Sequence, residues 1–148
     1  MTLLHTQYIG KTHCFVSEDI LVLGFDNTII PDNITQIGGG AFNCCKFLKK
    51  VNIPKGVTNI GDLAFWGCVG LCNVVIPRSV QKIGNLVFWD CKNLQSIFIP
   101  DSVLEMGNSV FAGCVKLAIY CQHKEKPKDW HDEWNPLNCQ VSWGVDNI

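Results

Sequence analysis

The sequence predicts a solenoid of stacked coils with a parallel β-sheet along one side. The dipeptide Ile-Pro recurs four times at a constant interval, with no insertion or deletion between copies. Small or apolar residues also return at matching positions of every block. A fixed period of this length is typical of repeat architectures, in which one block cannot bury its apolar face alone. The four dipeptides are Ile30-Pro31, Ile53-Pro54, Ile76-Pro77 and Ile99-Pro100.

Five columns of equivalent residues predict which side chains form the core. When copies stack, each apolar column becomes a continuous ridge between neighbouring coils. Phenylalanine, cysteine and leucine are invariant in three of these columns, which suits a repeated core position. The columns are Ile34, Val57, Val80, Val103; Ile37, Ile60, Ile83, Met106; Phe42, Phe65, Phe88, Phe111; Cys45, Cys68, Cys91, Cys114; and Leu48, Leu71, Leu94, Leu117.

Each of the first three blocks contains one predicted strand, at residues 48–53, 71–76 and 94–99. Strand side chains alternate, so Val51 faces the core while Lys50 and Asn52 face outward. Proline ends each strand because it has no amide hydrogen to donate. The glycine after each Ile37-type isoleucine predicts a sharp corner with positive φ. The following Ala-Phe pair predicts a short helical turn.

The outward strand positions form the predicted binding surface, here called the strand face. The core does not dictate these residues, which change from polar in the first coil to apolar in the last. Val75, Phe98 and Ile119 are expected to form one apolar patch, and exposed patches often mark binding sites. Coverage by the C-terminal tail, or strand propensity alone, would also explain them. The predicted site comprises Lys50, Asn52, Asn73, Val75, Ser96, Phe98 and Ile119. Cys121 is predicted to be the second outward residue of the fourth coil, outside this site.

The repeat pattern resembles a known family. Ile-Pro-x-x-Val-x-x-Ile-Gly-x-x-Ala-Phe-x-x-Cys-x-x-Leu is similar to the BspA-type, or Treponema pallidum-type, leucine-rich repeat, over residues 31–122. The match departs at Val87 and Val110, and at the fourth strand, where Tyr120 and Gln122 stand in the aliphatic positions. The resemblance implies a leucine-rich-repeat solenoid that acts in protein binding or cell adhesion, on a cell surface or after secretion.

We expect the 148 residues to form one domain. Residues 1–30 are predicted to supply an N-terminal cap and a first strand at residues 25–30. Residues 31–122 are predicted to form four 23-residue repeats. Residues 123–148, which contain Trp130, Trp134 and Trp143, are predicted to cap the other end, because a terminal repeat needs a covered core and a polar outer surface.

Composition argues against several classes of partner. Net charge is −1, so no basic footprint for nucleic acid is present. Charged residues are 17%, below the usual quarter, and no apolar run approaches the length of a membrane span. Residues 1–30 lack the pattern of a secretory signal.

The nine cysteines bear on location. Side chains in one column point in parallel, which is poor geometry for a disulfide, so we expect the cysteine column to be buried and unbridged. Unpaired cysteines favour a reducing compartment. The family resemblance implies the cell surface, so the sequence leaves the location open.

No catalytic, metal or cofactor site is predicted. His5, His13 and Cys14 lack the further groups of a thiol nucleophile. A zinc set of Cys121, His123, His131 and Cys139 has the right ligand types but not the usual close cysteine pairs. Trp66 and Trp89, one period apart, are expected to pack over the turn, with stacking on a sugar as the alternative.

The sequence therefore predicts a non-enzymatic protein-binding or adhesion module that uses the strand face. The resemblance implies that the partner is another protein, such as a host surface or matrix protein. The alternative is a structural module that self-associates through the sheet face or the ends of the solenoid.

Overall fold

The computed structural model describes residues 5–9 and 12–146, which form a β-solenoid with no helix in the described part. The repeat coils contribute strands to two sides of the stack, and turns close the third side. The strands are β1 (His5–Ile9), β2 (Thr12–Ser17), β3 (Ile20–Leu23), β4 (Gln36–Ile37), β5 (Lys50–Asn52), β6 (Asn59–Ile60), β7 (Asn73–Val75), β8 (Lys82–Ile83), β9 (Ser96–Ile99), β10 (Glu105–Met106), β11 (Ala118–Cys121) and β12 (Gln140–Trp143).

One side of the solenoid is a seven-stranded sheet in the order β1-β2-β3-β4-β6-β8-β10. The first three strands pair antiparallel, and the remaining neighbours pair parallel. An isolated parallel bridge from Met106 to Trp130 carries this side into the C-terminal region. The N-terminal strands thus extend the sheet beyond the first coil.

The strand face lies on the other sheet side and has two parts. β5 pairs with β7, and β9 pairs with β11 and β12, always in parallel. Lys50 lies opposite Asn73 and Ser96 lies opposite Ala118, so the interval between paired strands is shorter by one position in the second part. The predicted parallel stacking is confirmed.

Phenylalanine rings fill the interior beneath the turns. Phe42, Phe65, Phe88 and Phe111 are all fully buried and stack with centroid distances of 5.1, 5.4 and 5.7 Å. The backbone runs a parallel ladder here as well, since the Phe65 amide donates to the Val87 carbonyl at 2.9 Å. This ladder provides hydrogen-bond partners for backbone N–H and C=O groups of the turns, which burial would otherwise leave unpaired.

The glycines after the isoleucine column are not left-handed, so the positive-φ prediction is wrong for Gly38, Gly61 and Gly84. Positive φ occurs two residues later, at Gly40 and Leu63. Gly61 is needed for close approach, because a Cβ there would lie 2.7 Å from the Gly39 nitrogen. The predicted short helical turns are also wrong, since these segments are hydrogen-bonded turns.

The predicted first strand at residues 25–30 is not a strand either. β3 instead provides the preceding rung of the seven-stranded sheet. Residues 25–30 run beside the first coil, held by Asp26 Oδ1, which accepts the Phe47 and Leu48 amide hydrogens at 3.1 Å each. Hydrogen bonds to the Asp26 side chain therefore hold residues 25–30 in place of a backbone ladder.

The fourth coil is one residue shorter than predicted before its strand. Ile119, expected on the strand face, pairs in register with Ile97 and is buried at 1% exposure. Cys121 is likewise buried. Ala118 and Tyr120 therefore take the outward positions, and Cys121 stands where the other coils have an inward isoleucine.

Residues 130–143 close the last coil. Trp130 and Trp134 are 2% and 5% exposed, and Trp134 packs edge-on against Phe111 at 5.9 Å. The Trp130 Nε1–H donates to the Val103 carbonyl at 3.1 Å. β12 adds a parallel strand beside β11. The rings thus cover the end of the phenylalanine stack, and β12 supplies a fifth strand on the strand-face side.

Candidate binding face

Six of the seven predicted site residues lie outward on the strand face. Lys50, Asn52, Asn73 and Ser96 are exposed, Val75 is 61% exposed, and Phe98 is half-buried. Alternate positions of β5, β7 and β9 therefore point to solvent, as the strand period requires. Ile119 is the exception because of the shortened coil.

Tyr120 is the strand-face residue that sequence reasoning missed. It lies opposite Phe98 in the ladder and is half-exposed. The signal was present in the fourth coil, where Ile119 and Cys121 alternate like Ile97 and Ile99 once one position is removed. The outward column then reads Asn52, Val75, Phe98, Tyr120, Ser142.

A shallow groove of about 470 Å³ lies between β7 and β9. Val75 and Phe98 line it together with Asn73, Ser96 and Arg78. The two parts of the strand-face sheet also meet here, because no ladder joins β7 to β9 among the described strands. Apolar side chains and an interrupted ladder thus coincide at the centre of the face.

The far edge of the face carries a charged cluster after the strands. Arg78 Nη1 donates to Gln122 Oε1 at 2.7 Å and lies 3.6 Å from Asp101 Oδ1. Both charged side chains are more than half exposed, so the pair stabilises the fold little. Its geometry fixes an Arg78 guanidinium at the rim of the groove.

The cysteine column is unbridged, as predicted, and Cys68, Cys91 and Cys114 are buried, whereas Cys45 is half-buried. Each buried thiol lies near a carbonyl of the preceding coil, such as Cys68 Sγ at 3.0 Å from the Phe42 oxygen. Burial raises the pKa of Cys68 and Cys114 to about 12. These thiols are packing groups rather than nucleophiles.

The described side chains give no support to the two alternative sites. Cys121 is buried in β11, while the Cys139 thiol lies 3.6 Å from the Cys114 carbonyl. Among the side chains that the structure describes, no three acidic, histidine or cysteine groups gather as a metal site would require. Of the thiol-nucleophile set, Cys14 is buried, and the side chains of His5 and His13 lie outside the described residues.

The two turn tryptophans are not fully covered. Trp66 is half-buried, and Trp89 is 38% exposed. Trp89 lines an open groove of about 530 Å³ with Asn85, Asn108 and His131. Packing and ligand stacking were both open from the sequence, and a partly exposed ring suits either.

In the described part of the chain, no helix has the length and hydrophobicity needed to traverse a bilayer.

The parallel coils and their columns define the class of the protein as a leucine-rich-repeat solenoid. Residues 22–124 match the family described as "BspA type Leucine rich repeat region (6 copies)". The chain belongs to this BspA-type leucine-rich-repeat family. No curated protein matches the sequence.

Solved structures share the fold. The pneumococcal vaccine antigen PcpA superposes with a TM-score of 0.71 at 22% identity, covering 80% of this chain and 31% of PcpA. A leucine-rich repeat protein from Bacteroides capillosus gives 0.63 at 25% identity, covering 77% of this chain and 97% of that one. The T. pallidum leucine-rich repeat protein gives 0.60 at 21%, covering 95% and 62%. This chain therefore spans about a third of PcpA and under two thirds of the T. pallidum protein.

Proposed function

We propose that the chain is a non-enzymatic binding module of the adhesion type, and that its strand face docks another protein. The observation that carries this proposal is the outward column. Val75, Phe98 and Tyr120 are apolar or aromatic at positions that take Asn52 and Ser142 elsewhere, so the fold does not require them. Aromatic side chains at the centre of a surface are favoured anchors for protein partners.

The shape of the face supports the same function. Solenoids present long surfaces built from equivalent positions of successive coils, and partners bind along several coils at once. The groove between β7 and β9 can accept a side chain beside Phe98. By its family membership, the chain is proposed to act at a cell surface, with a host surface or matrix protein as the partner.

The test is affinity capture from an extracellular-matrix extract, with the wild-type chain and two variants immobilised. Phe98→Asp places a charge at the centre of the strand face. Leu104→Asp is the matched control, because Leu104 is an exposed apolar residue at 57% outside the strand face. A partner retained by wild type and Leu104→Asp, and lost by Phe98→Asp, supports the proposal. Equal retention by all three overturns it.

Self-association is the second candidate function, and one observation favours it. β12 pairs with β11 on one side and has no strand partner on the other among the described residues. Open strand edges pair readily with other chains. Sedimentation velocity over a concentration series distinguishes the two functions, since a self-assembling chain forms larger species without an added partner.

A further inference from the structure

We propose that the first coil makes the strand face a receptor for an acidic, extended peptide segment of its protein partner. This inference rests on the function proposed above and names the chemistry of the partner. It follows from the charges, the exposed apolar side chains and the groove beside β5.

The first coil is the basic end of a weakly acidic chain. Residues 46–55 contain Lys46, Lys49, Lys50 and Lys55, all exposed, and no acidic residue. None of these lysines is in an ion pair; the ion pairs of the described residues are Arg78–Asp101, Lys82–Glu105 and Lys126–Asp132.

Two aspartates reduce the positive charge of the first coil without cancelling it. Asp26 already accepts the Phe47 and Leu48 amide hydrogens, and Asp32 lines the groove described below. Four lysines against two aspartates leave a net charge of +2, in a chain whose total is −1. The rest of the molecule is therefore at −3, and an anionic ligand is directed to this end.

A groove of about 360 Å³ lies at this basic end, and Lys50 is the one of the four lysines that lines it. Thr28, Ile29 and Asp32 line one wall, and residues 50–54 line the other. β5 has a strand partner on one side only, since residues 25–30 lie beside it without forming a ladder. A groove between β5 and the segment at residues 28–32 suits an extended peptide better than a flat lipid surface.

Exposed apolar side chains flank the lysines. Phe47 is 77% exposed and Ile29 is 57% exposed. The Phe47 column continues as Gly70, Asn93 and Lys116, so the fold requires no aromatic ring there. A ring between cations offers an apolar contact to a peptide whose carboxylates pair with the lysines.

The basic end continues directly into the apolar column. Lys50 lies opposite Asn73 and Asn52 opposite Val75, one coil from Phe98. Coils in a parallel sheet are about 4.8 Å apart, so the first and third coils are about 10 Å apart. One peptide can thus place acidic residues at the first coil and an aromatic or aliphatic residue near Phe98.

The experiment selects a random peptide library displayed on phage against wild type, Lys50→Glu and Lys124→Glu. Lys124 is exposed and lies after the repeats, so Lys124→Glu makes the same net-charge change away from the groove. Wild type and Lys124→Glu should enrich peptides with acidic residues next to an apolar residue. A selected acidic peptide should bind Lys50→Glu about tenfold more weakly, with less than about a twofold change for Lys124→Glu. Raising the salt concentration should weaken the wild-type complex.

A parallel selection on Phe98→Asp separates this inference from the proposed function. Peptides that are neutral and depend on Phe98 but not Lys50 would overturn the acidic partner and leave the strand face as the binding site. Peptides that ignore Phe98, or no enrichment over a blank surface, would overturn both.

Two other ligands are tested directly. Binding of wild type to phosphatidylserine vesicles in place of acidic peptides would identify a lipid surface and overturn the inference. Concentration-dependent self-association that Lys50→Glu abolishes would identify a second copy as the occupant, with the same consequence. Melting curves of all variants establish that the exposed substitutions leave the fold intact.

Discussion

Tyr120 lies opposite Phe98 in the parallel ladder between β9 and β11, while Ile119 lies opposite Ile97 and is buried. A one-residue shift in a strand exchanges its two faces, because side chains alternate. β11 begins one residue after Leu117, whereas β5 and β9 begin two residues after Leu48 and Leu94, and this difference shifts the alternation of β11 by one position. The aromatic pair at the centre of the strand face therefore results from a shortening of the fourth coil.

Ile119→Ala and Tyr120→Ala should separate the two faces of β11. Ile119→Ala removes a buried side chain and should cost about 2–5 kcal/mol of unfolding free energy. Tyr120→Ala should change stability by less than about 1 kcal/mol, as surface substitutions usually do. Urea unfolding measures both. A larger loss for Tyr120→Ala would mean that the register of β11 is the other one.

Phe88→Ala and Phe98→Asp should differ in the same way despite the shared residue type. Phe88 is fully buried and stacks on Phe65 and Phe111 at 5.4 and 5.7 Å. Its truncation should cost about 3–5 kcal/mol and uncouple the coils on either side, since each touches only its neighbours. Phe98→Asp should stay within about 1 kcal/mol of wild type while losing partner binding. Thermal melts and hydrogen exchange measure both variants. If Phe98→Asp destabilises the protein as much as Phe88→Ala, the inward and outward sides of the strands have been exchanged in this assignment.

Gly61→Ala should destabilise the solenoid although Gly61 has no left-handed conformation. The new Cβ would meet the backbone of the preceding coil at 2.7 Å from the Gly39 nitrogen, and backbone cannot rotate away. We expect a loss of about 1–3 kcal/mol, as for other overpacked sites. Gly39→Ala is the control, because its Cβ would come no closer than 3.4 Å to the Asp62 oxygen. Equal melting temperatures for the two variants would contradict the close-approach explanation.

Thiol labelling in the native state should divide the cysteines by burial. Cys44 and Cys72 are exposed and should react at once with an aromatic disulfide reagent. Cys68 and Cys114 should react only after denaturant is added, because burial both blocks access and disfavours the thiolate. Mass spectrometry of labelled peptides assigns each site. Rapid labelling of Cys68 in the native protein would show that the coils are not closed around it.

Stability should fall in alkaline solution because of the same thiols. Burial raises the pKa of Cys68, Cys114 and Cys121 from 9.0 to about 12. Between these values the unfolded chain loses thiol protons that the native chain keeps, so unfolding becomes more favourable as pH rises. This contribution is fully present below pH 9 and is lost by about pH 12.

Two variants isolate the thiol effect from other alkaline titrations. Cys68→Ala should flatten the decline of unfolding free energy with pH relative to wild type. Cys44→Ala, which removes an exposed thiol, should follow the wild-type slope. Parallel curves for wild type and Cys68→Ala above pH 9 would show that the thiol is solvated in the native state.

The repeat columns by themselves determined the solenoid, the parallel pairing and the core. An invariant Phe42 column can only be repeated in register if the coils stack, and stacking then buries the ring. The same logic placed Lys50 and Phe98 outward, because strand alternation leaves no other side for them once Val51 and Ile97 are inside.

The tertiary structure decided what the columns do not encode. The residue with positive φ is Gly40 and not Gly38. The glycines after the isoleucine column instead allow the backbones of neighbouring coils to approach closely, which the sequence of a single block does not reveal. Residues 25–30 form no strand, and their contact with the first coil includes the side chain of Asp26, which accepts the Phe47 and Leu48 amide hydrogens. The phase of β11 followed from the shortened segment after Leu117, which buries Ile119 and Cys121 and leaves Tyr120 half-exposed, so that no phenol hydroxyl has to be buried.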